Sequence, residues 1–254
     1  MKINLVLSGG GVRGFAHLGV IKALLESGFE IAAISGTSSG AVTGAFIAAG
    51  YSPDETLKIL KEFRLLRLLK GAFSSGIFSM AKFEKIFLDC FPHNSFEELS
   101  MPLYISSTNI YKGKTEVFSK GKLIPALLAS SSLPVLFKPI DINGQLYLDG
   151  GILNNLPVEP FLNSRIPIIG IHVNPVNEVA SISSTLKIME RSFNLAVYAN
   201  IIERIKKCTF LFEPAELGAY SVYAYSKADE IFKIGYKHAT EKMPQFIRLL
   251  NKLS

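Results

Sequence analysis

The feature that most constrains this chain is a doubled unit at its start: two apolar runs, each closed by a glycine turn and followed by a helical pattern. Ile3–Leu7 is a short apolar run ended by Ser8 and three glycines. Phe15–Leu25 then carries apolar residues at helical spacing, with Gly28 as a C-terminal stop. Ile31–Ile34 repeats the strand pattern and Ala41–Ala49 follows as a helix of small residues, able to pack closely on a sheet. Strand, helix, strand, helix in this order predicts an α/β fold with parallel strands.

Later segments extend the sheet. Leu103–Ser107 and Thr115–Phe118 read as strands turning at Lys112-Gly113, and Ile140–Ile142 and Gln145–Leu148 as strands joined by Asn143-Gly144, a strong short hairpin signal. Ile166–Val173 and Thr209–Phe212 are further strand patterns. Ser52-Pro53-Asp54-Glu55 predicts a helix start with a capping box, running towards Lys70. A long helix is expected over Thr185–Lys206, and a closing helix after Ser226 with Asp229 in capping-box position.

With 254 residues, 48% of them hydrophobic, the chain can bury a sizeable core. Asn174–Ser184 is the best candidate boundary, but apolar segments continue on both sides, so one domain over residues 1–254 is expected. The net charge of +6 points to an ordinary surface with a basic excess, or to an anionic partner such as a membrane. Without zinc-type Cys/His pairs or RNA-type aromatic motifs, nucleic acid is the weaker partner. The two cysteines, Cys90 and Cys208, are too few to staple the chain, which fits a reducing compartment. Neither a signal-type apolar start nor an uncharged apolar run of about 18 residues is found, so a cytoplasmic location, with peripheral membrane contact as the variant, is expected. No cofactor or metal is called for.

Gly9-Gly10-Gly11-Val12-Arg13-Gly14 follows a strand and opens a helix, at dinucleotide-fingerprint spacing. Glu30 precedes the second strand instead of ending it, and no Gly-Lys-Ser/Thr follows. Glycine N–H groups converging at a helix N-terminus can hold a phosphate or, equally, the oxyanion of a tetrahedral intermediate, with Arg13 adding positive charge. Gly36-Thr37-Ser38-Ser39-Gly40 fits Gly-x-Ser-x-Gly between strand and helix, the setting of a nucleophile elbow. A serine needs a base. His17 reads as a packed side chain, and His93 and His238 as surface residues. His172, at a strand end, completes the chain order of a Ser38–Asp149–His172 triad. Asp149-Gly150-Gly151, open to close approach, offers a base without histidine.

Together these motifs resemble the patatin-like phospholipase family over nearly the whole chain. The glycine loop with Arg13 resembles its oxyanion loop, Gly36–Gly40 its elbow, and Asp149-Gly150-Gly151 its Asp-Gly-Gly motif. Ala129–Pro139 (ASSSLPVLFKP) resembles its Ser-x-x-x-Pro-x-x-Phe-x-Pro segment, and Ala228–Ile231 with Gly235-Tyr236 is similar to bacterial members. The resemblance implies a three-layer α/β/α sandwich with a mostly parallel central sheet. It implies a lipid acyl hydrolase of phospholipase A or esterase type, using a Ser38–Asp149 dyad through an acyl-enzyme. It implies an oxyanion hole from Gly9, Gly10 and Gly11 aided by Arg13, with Gly36, Gly40, Gly150 and Gly151 in support.

Leu57–Asp89 carries no family motif. Within it Lys58, Lys61, Arg64, Arg67 and Lys70 alternate with Leu, Ile and Phe. Residues 54–90 are therefore expected to form a helical cap or a membrane-facing region. Two alternatives share the chain: acyl transfer with the same residues, and a nucleotide-binding module built on the glycine loop.

Overall fold

The computed structural model describes residues 1–62, 80–134, 136–178, 181–182 and 184–252. The strands are β1 (Lys2–Leu7), β2 (Glu30–Thr37), β3 (Leu103–Asn109), β4 (Lys114–Phe118), β5 (Ile140–Ile142), β6 (Gln145–Asp149), β7 (Ile168–Ile171) and β8 (Phe210–Phe212). Among the described residues they form one sheet in the order β5-β6-β3-β2-β1-β7-β8, with β4 also paired to β3. Its centre is parallel, from β3 through β2, β1 and β7 to β8, while β4, β5 and β6 pair antiparallel at one side. The helices are α1 (Phe15–Glu26), α2 (Ser39–Ala48), α3 (Pro53–Glu62), α4 (Ala81–Cys90), α5 (Leu123–Ser130), α6 (Thr185–Ala199), α7 (Ile202–Ile205) and α8 (Ala228–Asn251). The expected mostly parallel sheet with flanking helices is the observed fold.

Strand alternation separates two cores. Ile3, Leu5 and Leu7 of β1, Ile34 of β2, and Ile169 and Ile171 of β7 face the larger core with α1, α2, α5 and α8. Val6, Ala33 and Ile168 point the other way, onto Leu156, Val158, Phe161 and Ile201. At Asn143-Gly144 both residues have positive φ, 55° and 74°, as the hairpin signal requires. The capping box is formed: Ser52 Oγ lies 2.7 Å from Glu55 Oε2, and Glu55 N–H donates to Ser52 Oγ at 3.2 Å.

Three expectations are corrected. The helix over Thr185–Lys206 is interrupted at Asn200 and Ile201, because Asn200 spends its side chain on the backbone of another loop. The closing helix is not capped by Ser226; a 3₁₀ turn, Tyr225–Lys227, leads into it and no side chain bonds its first N–H groups. His238 is half-buried against the Phe212 ring, not a free surface residue.

Of the basic, leucine-rich segment Leu57–Lys70, residues 63–70 lie outside the described residues. In the described part, Leu57, Ile59 and Leu60 pack against the larger core and Lys61 pairs with Asp229 of α8 at 2.6 Å. This turn of α3 therefore spends its apolar side inward. Among the described residues no helix is long and apolar enough to cross a membrane.

Candidate active site

The sheet itself brings the Gly-x-Ser-x-Gly turn to the Asp-Gly-Gly turn. β4 occupies one edge of β3 over Ile105–Asn109. On the other edge β2 pairs as far as Thr37↔Ser106, and β6 takes over at the next position, Ser107↔Asp149. Ser38, leaving β2, and Asp149, ending β6, thus meet where one strand replaces the other.

Ser38 sits in a conformation that L residues rarely adopt, φ 52° and ψ −121°, and α2 begins at the next residue. The turn is tight: a Cβ on Gly40 would lie 2.3 Å from the Leu7 carbonyl oxygen and 2.6 Å from that of Ser8. Both are backbone atoms and cannot swing away. Gly40→Ala is expected to destabilise the fold by roughly 3 kcal/mol or more; a thermal melt within a few degrees of the parent would contradict this.

The Ala129–Pro139 segment anchors both turns. Ser38 N–H donates to Ser130 Oγ at 2.9 Å, and Ser130 Oγ–H donates to the Ser106 carbonyl at 2.7 Å. Two residues on, the Ser132 carbonyl accepts Asp149 N–H at 2.9 Å. One short stretch at the end of α5 fixes the backbone of both residues. Sequence reasoning noted the segment but not this function.

Asp149 is 3% exposed. Its Oδ1 accepts Gly151 N–H at 2.8 Å, while Oδ2 is buried with no formed hydrogen bond. Burial pushes the carboxyl pKa up to about 6; the Gly151 N–H and the nearby Ser38 hydroxyl pull it back down. The Ser38 hydroxyl is thus close enough to influence the carboxyl without saturating Oδ2.

The glycine loop divides its donors. Gly9 N–H is spent on Asn155 Oδ1 at 3.1 Å, and the Gly9 carbonyl accepts Asn174 Nδ2–H at 2.5 Å. Gly10 and Gly11, by contrast, are partly or fully exposed. The hydrogen bonds of the described residues leave their N–H groups without a protein acceptor. Arg13 is 8% exposed, donating Nε–H to the Tyr220 carbonyl at 2.8 Å and Nη1–H to Asn174 Oδ1 at 3.3 Å. Of the four residues expected to bind an oxyanion, Gly10 and Gly11 keep available N–H groups; Gly9 and Arg13 brace the loop.

His172 lies beyond β7, with β1 between it and β2. Its Nδ1 is 2.5 Å from Glu213 Oε1, and its Nε2 is buried without a partner. No hydrogen bond joins it to Ser38 or Asp149, so a Ser–His–Asp relay is not assembled. His172→Ala is expected to change turnover by less than about tenfold; a fall near 10⁴, the size seen for a disabled triad, would restore the histidine. His17 is fully buried, and its Nε2–H donates to the Ser8 carbonyl at 2.8 Å. Burial lowers its pKa to about 4. Among the described residues no group of three or more His, Cys, Asp or Glu side chains is placed to hold a metal ion.

The profile described as patatin-like phospholipase matches residues 5–162, which contain every residue of this site but Asn174, Asn200 and Tyr220. The chain belongs to the patatin-like phospholipase family. An uncharacterized NTE family protein of Mycobacterium bovis is 38% identical over 162 residues, covering 63% of this chain and 45% of the relative. A protein named lysophospholipase from Coccidioides immitis is 29% identical over 274 residues, covering 94% of this chain and 17% of its own length. The chain thus spans less than half of these relatives. Among solved structures, VipD from Legionella pneumophila superposes with a TM-score of 0.60 at 16% identity, covering 98% of this chain and 67% of that one. That similarity establishes the fold, a patatin-like sheet with its flanking helices.

Proposed function

We propose that this patatin-like chain is a serine-dependent lipid acyl-ester hydrolase in which Ser38 is the nucleophile and Asp149 the base. The observation that carries the reading is the open, buried Oδ2 of Asp149 beside a serine held at a strained elbow. A carboxylate with an unsatisfied buried oxygen and a pKa near 6 is a proton acceptor poised near neutral pH.

The steps follow from that arrangement. Ser38 Oγ attacks the ester carbonyl carbon as its proton passes to Asp149 Oδ2. The carbonyl oxygen becomes an oxyanion, facing the N–H groups of Gly10 and Gly11 and the N-terminus of α2. Collapse breaks the ester bond, and the proton on Asp149 leaves with the alcohol. Water then gives a proton to Asp149 and attacks the acyl-enzyme; the second collapse releases the fatty acid and returns the proton to Ser38. Gly9 and Arg13 hold the loop that presents the donors. What weighs against a nucleotide cradle is that Gly9 N–H and the Arg13 guanidinium are already committed inside the protein.

Phospholipid or lysophospholipid esters are the proposed substrates, on the strength of the family and of the relative named lysophospholipase. We place the whole of residues 1–254 in one domain, since one sheet runs from β1 to β8 and α8 packs along α1. Anionic membrane is the proposed surface on which it meets substrate, in keeping with the net charge of +6. The test is a panel of phospholipid and lysophospholipid esters together with a fluorophosphonate probe. Covalent labelling at Ser38 and release of fatty acid from at least one lipid are expected; a chain that is folded, unlabelled and inactive on the whole panel refutes the reading.

A further inference from the structure

The helix break at Asn200 lies outside the span that the family profile matches, yet its side chain reaches the loop that follows Asp149. Asn200 Oδ1 accepts Asn155 N–H at 3.2 Å. Its Nδ2–H donates to the carbonyls of Gly151 at 3.1 Å and Ile152 at 3.3 Å. One side chain therefore closes the loop that leaves Asp149, holding both ends of Gly151–Asn155.

That loop is the joint between the two halves of the site. Its first N–H, from Gly151, fixes Asp149 Oδ1. At its far end Asn155 takes Gly9 N–H on Oδ1, and Asn155 Nδ2 lies 3.5 Å from the Gly9 carbonyl. The contact is close: a Cβ on Gly9 would fall 2.5 Å from Asn155 Oδ1. The position of the Gly10 and Gly11 donors thus follows from where Asn155 is held.

Four residues further along, Arg204 makes a parallel connection. Its guanidinium donates to the Asn200 carbonyl and, at 2.7 Å, to Glu159 Oε1. Glu159 Oε2 accepts Asn154 Nδ2–H at 2.8 Å, and the Asn154 carbonyl accepts Thr37 Oγ1–H at 2.9 Å, one residue before Ser38. An uninterrupted helix through residue 200 would turn Asn200 into an ordinary helical side chain. The break exists because an Asn side chain competes for backbone groups outside its own helix.

We propose that Asn200 is a positioning residue, which sets the Asp149 carboxyl and, through Asn155, the glycine-loop donors in register with Ser38. It touches no reacting atom. The inference rests on the hydrolase reading for its effect on rate, but not for its effect on geometry.

The test compares Asn200→Ala with Asn200→Asp. The second variant has the same size, and sets a carboxylate against two carbonyl oxygens where an amide donated. The first readout is steady-state kinetics on the best lipid ester of the panel. Misplacement of about 1 Å costs up to ~10²-fold, so kcat is expected to fall roughly 10- to 100-fold with KM little changed. The second readout is the pKa of the Asp149 carboxyl, followed by carbon NMR. Loosening the Gly151 N–H removes an influence that lowers it, so the titration should move upward in both variants. Folding is checked by the thermal melt, and the Asp variant stands in if the Ala variant does not fold. Folded variants with an unchanged Asp149 titration and parental kcat overturn the proposal. A parent that neither labels nor hydrolyses refutes the hydrolase reading alone, because the Asp149 titration still decides the role of Asn200.

Discussion

Ser38→Ala is expected to lower lipid-ester turnover by roughly 10⁵–10⁶-fold, the loss seen when a serine hydrolase gives up its nucleophile, while leaving the fold intact. Both halves of that expectation come from the same geometry. The Ser38 backbone is held by its N–H on Ser130 Oγ and by the start of α2, and alanine keeps both. Among the described residues no formed hydrogen bond runs from Ser38 Oγ, and what its removal takes away is the influence that lowers the Asp149 pKa. The melting temperature should therefore stay within about 2 °C of the parent, for a change of well under 1 kcal/mol in a domain of this size. Fatty-acid release by purified Ser38→Ala and parent decides the matter. More than about one per cent of parental activity in the variant would place the nucleophile elsewhere.

Asp149→Asn should act oppositely on the two properties. Activity falls by a comparable order, since an amide cannot take the Ser38 proton. Stability near pH 7 rises. Burial raises the Asp149 pKa from 3.8 to about 6. Between those values the folded chain keeps a proton that the unfolded chain has lost, so stability declines as pH climbs through the window. Above pH 6 the penalty is complete. A shift of this size corresponds to ~3 kcal/mol, an upper limit for what the amide recovers. The gain should shrink towards pH 4 and vanish only below the ordinary value of 3.8, where the parent carboxyl is neutral in both states. Melts of parent and variant at pH 4 and pH 7 test this; equal differences at the two pH values would refute the linkage.

In the proposed mechanism the same carboxyl sets the activity profile of the parent. Asp149 works as a base only when ionised, so kcat/KM should rise with pH through about 6 and level off above it. A limb centred below pH 5 would mean that Asp149 is better solvated than its 3% exposure implies.

Much of this molecule is written locally in its sequence. The two strand–turn–helix units, the Asn143-Gly144 hairpin and the Ser52 capping box depend on residues within a few positions of one another. Each formed where the pattern placed it, with β2 extending three residues further, to Thr37. Ser38 and Asp149 were legible as motifs for the same reason: an elbow and an Asp-Gly-Gly turn are short-range constraints.

What joins those motifs is long-range and was not legible. Gly9 N–H is consumed by a residue 146 positions away, and Asn200 closes a loop nearly fifty positions before it. The apolar spacing of Thr185–Lys206 continues through Asn200, so nothing in the local pattern signals the break. Asn194, in the same stretch, stays inside α6, so an asparagine in a helical pattern does not by itself mark the break. His172 shows the converse. Chain order alone made it eligible for a triad, but strand order decided otherwise, putting β1 between β2 and β7. The sequence by itself determined the local elements and singled out Ser38 and Asp149 as the candidate pair. Only the tertiary structure decided which N–H groups stay available, which carboxylate oxygen stays open and which histidine is excluded. Those properties depend on what lies across a sheet edge or beneath a loop, and residues distant in the chain supply it.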